Sequence, residues 1–270
     1  MEITEHFLYG KLARSAKEPR TRDALDRIAQ RELAYYEIWK AAIGVEVEPN
    51  RIEVRVYYWI AKVFGIVFMM KLRDFFIWRT YGPLEHVLPE AYQDFESEMT
   101  NAKVLRSAID DERLHYMGAI VMGLNDAIVE ITGAIAGFAL GLQNTTLIAL
   151  AGLITGVAGA LSMASSEFLE KQSESGHNPV KAAGYTGGMY FITALILVSS
   201  YLVLSNYLVA LIVMLVLAFI IIVFFSFYST FLFDQKLRSR LPPMLAMSFG
   251  VAFISFLIGS LLRVALHVSA

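Results

Sequence analysis

Five long apolar segments fill the carboxyl-terminal part of the chain, at about residues 117–142, 145–168, 185–204, 207–232 and 245–266. Each is close to the roughly 20 residues that an α-helix needs to cross about 30 Å of hydrocarbon. The polar pairs Gln143-Asn144 and Ser205-Asn206 mark two tight turns, and Pro242-Pro243 opens the last segment. The pattern predicts five membrane-spanning helices.

The amino-terminal part alternates apolar and polar residues at helical spacing instead. Glu46 to Asn50 interrupts this pattern, and Gly82-Pro83 interrupts it again. The run from Val63 to Met70 is apolar but too short to span a bilayer, so we expect it to be buried in the bundle or at a dimer contact. Four helices arranged as an up-down bundle are predicted, at about residues 2–16, 21–43, 51–79 and 84–116.

Charge divides the chain at the same place. Residues 1–116 carry 36 of the 48 charged side chains, whereas residues 117–270 carry 12. The predicted fold is therefore all-α, with a water-facing four-helix domain at 1–116 followed by a five-helix transmembrane domain at 117–270. Apolar residues make up 56% of the chain, and its net charge of −2 gives no indication of nucleic acid binding.

The distribution of basic residues predicts the orientation in the membrane. Lysine and arginine occur just before the first span and in the loops at 170–184 and 233–244, whereas the turns at 143–146 and 205–206 carry no charge. The positive-inside rule then places the amino-terminal domain in the cytoplasm and the carboxyl terminus outside.

Three acidic residues lie within the apolar segments: Asp126 and Glu130 in the first, and Glu167 in the second. Carboxylates in lipid cost several kcal/mol unless they are paired, hydrated or metal-bound. Each segment also carries glycines at steps of three and four residues, so we expect the two helices to pack closely and to bring these acids together with Met163. The alternative is structural: Asp126 as a hydrogen-bonding residue, Glu167 at the interface and Met163 in the core.

A metal site here must use oxygen, nitrogen or thioether ligands, because the chain has no cysteine. Carboxylates suit hard or borderline divalent cations, and a thioether favours iron over calcium. Protonation of the same carboxylates would couple metal movement to protons.

The segments Gly123–Glu130 and Leu161–Leu169 resemble the first two membrane helices of the vacuolar iron transporter family. The resemblance implies export of ferrous iron, or of manganese as well, from the cytosol by proton exchange in a homodimer. It adds Asn125 and Ser162 to the transport pathway. Plant members carry a metal-binding insert after the second span, which the short loop at 170–184 lacks.

The amino-terminal domain resembles the rubrerythrin and ferritin-like group, as in membrane-bound ferritin fusions. The metal ligands that this resemblance implies are Glu5, Glu32, Asp74, Glu112 and His115. Two positions depart from the pattern of that group, because Tyr35 stands where histidine is expected and Asp74 where glutamate is expected. We therefore expect this domain to bind and deliver metal rather than to catalyse iron oxidation. The alternative for Glu112 and His115 is that they are a surface pair without a metal.

Delivery is favoured by proximity along the chain. His115 precedes Asp126 by eleven residues, or about 16 Å of rise in a continuous helix. Acidic residues at 96, 98, 110 and 111 would make the approach electronegative.

Three functions remain open from the sequence. The first is a transporter of ferrous iron or manganese. The second is a membrane-anchored di-metal oxidase or iron store, which would have no need of acids within its spans. The third is a metal sensor without flux.

Overall fold

A computed structural model of the chain describes residues 1–81, 109, 116–174, 178–233 and 236–265. The chain forms two compact units, an amino-terminal unit at Met1–Arg113 and a carboxyl-terminal unit at Leu114–Ala270. All regular structure in the described residues is helical. The helices are α1 Glu2–Ser15, α2 Pro19–Ile43, α3 Arg51–Phe64, α4 Ile66–Tyr81, α5 Met117–Leu142, α6 Thr145–Ser173, α7 Pro179–Val203, α8 Tyr207–Phe233 and α9 Leu237–Ala265.

The amino-terminal unit is built on the hairpin of α1 and α2. Leu8 and Leu12 of α1 are almost fully buried, as are Leu25 and Ile28 of α2. The two buried residues of each helix lie three or four positions apart, so each helix presents one apolar stripe to the core of the unit.

The predicted third helix at 51–79 is wrong as a single element. Gly65 takes a φ of 97°, and this residue separates α3 from α4. Only glycine adopts such a backbone easily, so the chain can change direction there. The part of the apolar run from Val67 to Met70 is buried, as expected, whereas Val63 is 58% exposed.

The predicted fourth helix at 84–116, with Glu112 and His115, lies outside the described residues apart from Ile109 and Tyr116. The described residues therefore do not confirm a ferritin-like four-helix bundle.

Five helices of the carboxyl-terminal unit, α5 to α9, are long and apolar enough to cross a membrane, which confirms the prediction of five spans. Local polar groups set the helix starts. Asn144 accepts a hydrogen bond from the Leu147 N–H at 3.1 Å, and Asn178 accepts from the Val180 and Lys181 N–H groups. These side chains bind amides that have no partner within the helix.

Two helices begin earlier than predicted. Helix α7 begins at Pro179 rather than near residue 185, because Asn178 caps it and proline suits the first helical position. Helix α9 begins at Leu237, so Pro242 and Pro243 lie inside it rather than at its start. Each of these prolines lacks the N–H that would bind the carbonyl four residues earlier, so two backbone hydrogen bonds are missing in the second turn of α9.

Close backbone approach joins the helices of this unit. A Cβ on Gly259 of α9 would overlap the backbone carbonyl oxygen of Gly137 in α5. In lipid no hydrophobic force drives helices together, so packing of small residues decides which helices meet.

The sequence predicted that the glycine rows of α5 and α6 pack against each other, but the two rows do not face each other. Gly133 and Gly137 of α5 lie against Val251 and Ser255 of α9. In the second row, Gly152 lies against Val198 of α7 as well as Ile135 of α5, Gly156 against Ala194 of α7 and Gly159 against Tyr190 of α7. Gly133 and Gly137 of α5 therefore lie at its contact with α9, whereas the glycine row of α6 lies mainly at its contact with α7.

This packing predicts that Gly259→Ala destabilises the protein. The new methyl group meets backbone rather than a flexible side chain, and overpacking of this kind typically costs about 1–3 kcal/mol. Thermal unfolding in detergent should show a lower midpoint for this variant. Gly250→Ala, on the same helix with open space around its Cβ position, is the matched control and should unfold like the parent. Equal midpoints for all three chains would contradict the proposed contact.

Candidate functional site

Asp126 and Glu130 lie one turn apart on α5, and both are exposed at the surface of the described residues. Two carboxylates on one helical face provide up to four oxygen ligands. Their neighbours along α5, Ala127, Ile128 and Ile131, are buried in the core. The helix thus presents one acidic edge and one apolar edge.

A pocket of about 300 Å³ opens beside Asp126. The amide side chain of Asn125 and the thioether side chain of Met122 line it, and the ends of α8 and α9 contribute Phe233 and Arg240. The Oδ1 atom of Asn125 is buried and has no hydrogen-bond partner among the described residues. A carboxylate, an amide oxygen and a thioether together suit a divalent transition metal.

Glu130 has a defined partner on α7. The Tyr190 hydroxyl donates a hydrogen bond to Glu130 Oε2 at 2.7 Å, and Tyr190 itself is fully buried. Sequence reasoning missed Tyr190, since it treated the third span only as an apolar segment. Arg240 lies in the basic segment at 233–244, and only the fold shows that it lines the same pocket as Asp126.

Glu167 occupies a different environment. It is 1% exposed, and its Oε2 atom has no hydrogen-bond partner among the described residues. A buried carboxylate oxygen without a partner is rare in proteins and often marks a functional group or an unseen ligand. This burial differs from the interfacial alternative, in which Glu167 would extend into water.

The other predicted pathway residues of α6 are less distinctive. Met163 is half-buried and packs against the apolar core of the unit, as in the structural alternative. Ser162 is exposed. Asp126, Glu130 and Glu167 do not form a three-carboxylate group that could hold a metal ion within the described part of the chain. The expected sharing of one cation by all three acids is therefore not found, because the glycine faces of α5 and α6 bind different helices.

Glu5 and Arg73 form an ion pair in the amino-terminal unit. The Arg73 guanidinium donates to Glu5 Oε1, with only 5% and 13% of the two side chains exposed. The guanidinium also lies 5.9 Å from the ring centroids of Tyr9 and Tyr57. Burial lowers the pKa of Arg73 to about 10, while the charges of Asp74 and Glu2 oppose that shift. Arg73 therefore remains a cation at neutral pH.

Glu32 is paired in the same way. It is 4% exposed and accepts a hydrogen bond from Arg31 Nη2 at 3.1 Å. Burial raises the pKa of Glu32, an effect that Arg31 opposes. Nearby in α1, the Nδ1 atom of His6 lies 2.8 Å from the Ala29 carbonyl oxygen.

These pairs bear on the predicted di-metal site. Two of its carboxylates, Glu5 and Glu32, each face an arginine, and the third, Asp74, is half-buried next to Arg73. No three Asp, Glu or His side chains in the described residues could hold a metal ion. The described donors therefore do not fit a di-metal centre, and we derive no redox step from them.

The buried pair predicts that Arg73→Met destabilises the amino-terminal unit. Removing one partner leaves a buried carboxylate unpaired, which typically costs about 3–5 kcal/mol. All three tryptophans, Trp39, Trp59 and Trp78, lie in this unit, so tryptophan fluorescence follows its unfolding selectively.

Two further variants make this test specific. Arg20→Met changes an exposed arginine of α2 and should have little effect. Adding Glu5→Leu to Arg73→Met should recover most of the loss, because the unpaired charge is then removed. Parent-like unfolding of Arg73→Met would show that the pair contributes nothing.

Comparison with known proteins identifies one matching region. Residues 117–178 match the model described as VIT family, and this stretch contains α5 and α6 with Asp126, Glu130 and Glu167. No curated protein and no solved structure matches the chain. The region of α5 and α6 is thus similar to the VIT family, which supports the resemblance found in the sequence for these two helices. The rubrerythrin-like resemblance of the amino-terminal part has no such support.

Proposed function

We propose that the carboxyl-terminal unit exports ferrous iron, or the similar ion manganese, from the cytosol. One observation carries this proposal: three carboxylates lie in two consecutive membrane-spanning helices, within the stretch that matches the VIT family. An anchor for another domain would need none of them, since ionised groups in lipid are costly. The transported cation would neutralise these carboxylates, which lipid cannot do.

Proton exchange is part of the proposal. Asp126 lies at the pocket and Glu130 one turn farther along α5, so a cation bound at the first can reach the second. A carboxylate that binds a metal must release its proton, and the reverse step returns one. The excess of lysine and arginine in the loops at 170–184 and 233–244 favours a cytoplasmic position for the entrance beside Asp126.

Transport should require the acids of α5 and α6. The test reconstitutes the full chain into liposomes and follows radiolabelled ferrous iron and manganese under a proton gradient. Asp126→Asn and Glu167→Gln should each lower the initial rate at least about tenfold, because removal of a metal ligand or its support commonly costs 10- to 100-fold.

The matched control for this experiment is Glu170→Gln. Glu170 is one turn beyond Glu167 on α6, exposed and paired with Lys171, so its charge should not matter for flux. A parent chain that shows no metal flux under a proton gradient would favour the oxidase or the sensor. Equal rates for Glu167→Gln and the parent would remove Glu167 from the pathway.

A homodimer completes the proposed pathway. Asp126 and Glu130 are exposed on a membrane-spanning helix. A second copy of the chain that places the same edge opposite would cover these carboxylates and double the number of ligands.

Disulfide cross-linking tests the dimer cleanly, because the natural chain has no cysteine. Glu130→Cys should form a covalent dimer under mild oxidation in membranes. Ile220→Cys, at an exposed apolar position on α8, should remain monomeric. Dimers formed by the control alone would place the interface elsewhere.

Metal delivery by the amino-terminal unit is a separate proposal. It depends on Glu112 and His115, which would collect the substrate on the cytoplasmic side. Glu5 and Glu32 are already paired with arginines, so the proposed delivery relies on Glu112 and His115 and not on a di-metal centre. A normal KM for transport in a chain with both Glu112 and His115 changed to alanine would remove this role.

A further inference from the structure

Tyr190 links three membrane-spanning helices at one point. It belongs to α7, its hydroxyl donates to Glu130 of α5 at 2.7 Å, and its ring lies against Gly159 of α6. The side chain is fully buried, so the hydroxyl has no access to solvent as an alternative partner. This hydrogen bond joins a pathway carboxylate directly to α7.

Gly159 determines where that hydroxyl can be. A Cβ at this position would overlap the hydroxyl and the adjacent ring carbon of Tyr190. One turn earlier, Gly156 lets α6 approach Ala194 of α7 in the same way. The absence of side chains at these positions allows the ring to lie between α6 and α7 and to reach Glu130.

We propose that Tyr190 is a positioning residue for the substrate cation, acting through Glu130. The hydrogen bond occupies one side of Oε2 and restricts the carboxylate to one orientation. It leaves Oε1 and the remaining lone pair of Oε2 for a metal ion at the exposed edge of α5. Groups that orient metal ligands in this manner commonly change metal affinity 10- to 100-fold when removed. The inference rests on the proposed transport function.

Tyr190→Phe tests the role with the smallest change, because it deletes only the hydroxyl. In reconstituted full-length protein, the KM for ferrous iron and for manganese should rise about tenfold or more. The maximal rate should stay within about twofold, since the carboxylate itself remains. A loss of packing alone would lower the maximal rate or the yield of folded protein without this split.

Tyr201→Phe is the matched control. Tyr201 lies three turns farther along α7, is 3% exposed, and its hydroxyl has no hydrogen-bond partner among the described residues. Deleting that hydroxyl should leave KM unchanged. Equal KM values for the parent and Tyr190→Phe would overturn the inference, as would equal increases in the two tyrosine variants.

A second pair of variants tests the position of the ring rather than its hydroxyl. Gly159→Ala should raise KM as Tyr190→Phe does, because the methyl group displaces the hydroxyl from Glu130. Gly188→Ala, on α7 with open space at its Cβ position, should not. Binding of manganese to the solubilised full chain, measured by its paramagnetic resonance signal, gives the same comparison if Gly159→Ala lowers the yield.

The outcomes separate this inference from the function on which it rests. Saturable uptake by the parent with an unchanged KM in Tyr190→Phe would overturn only the role of Tyr190. A parent chain without saturable uptake or metal binding would overturn both.

Discussion

The constraint on which the structure depends is the cost of a carboxylate in a membrane-spanning helix. Ionised acids in hydrocarbon must be hydrated, paired or bound to a cation. The three acids of the carboxyl-terminal unit differ in how far they meet this requirement. Asp126 lies at a pocket, Glu130 accepts a hydrogen bond from Tyr190, and Glu167 is buried with one oxygen unpartnered. Each of these arrangements leaves oxygen available to a cation, which distinguishes them from an arginine salt bridge.

The amino-terminal unit uses that salt bridge instead. The side chains of Glu5 and Glu32 are only 13% and 5% exposed, and Arg73 and Arg31 neutralise their charges. A guanidinium is a permanent cation with a fixed set of donors, so it stabilises a carboxylate without the need for a metal. These two carboxylates, which the sequence predicted to be metal ligands, thus form ion pairs with arginine here. The chemistry of the partner, not the identity of the acid, decides between the two roles.

Close helix packing connects the glycines to the proposed function. Glycine has no side chain, so α6 and α7 approach until the Tyr190 ring lies against Gly159 and the hydroxyl reaches α5. Gly137 and Gly259 bring α5 and α9 together at the same time. Since lipid gives no hydrophobic drive for association, these contacts fix the rotation of α5 and hence the direction in which its acidic edge faces.

Local sequence patterns predicted the five spans, the turns at Gln143-Asn144 and Ser205-Asn206, and the presence of acids in α5 and α6. Hydropathy, capping and helical periodicity are local properties, so they can be calculated from neighbouring residues alone. The partners of the glycine rows, the hydrogen bond from Tyr190 to Glu130 and the pairing of Glu5 with Arg73 were decided only by the tertiary structure. Each depends on how a helix is rotated about its axis, and contacts between residues far apart in the chain set that rotation.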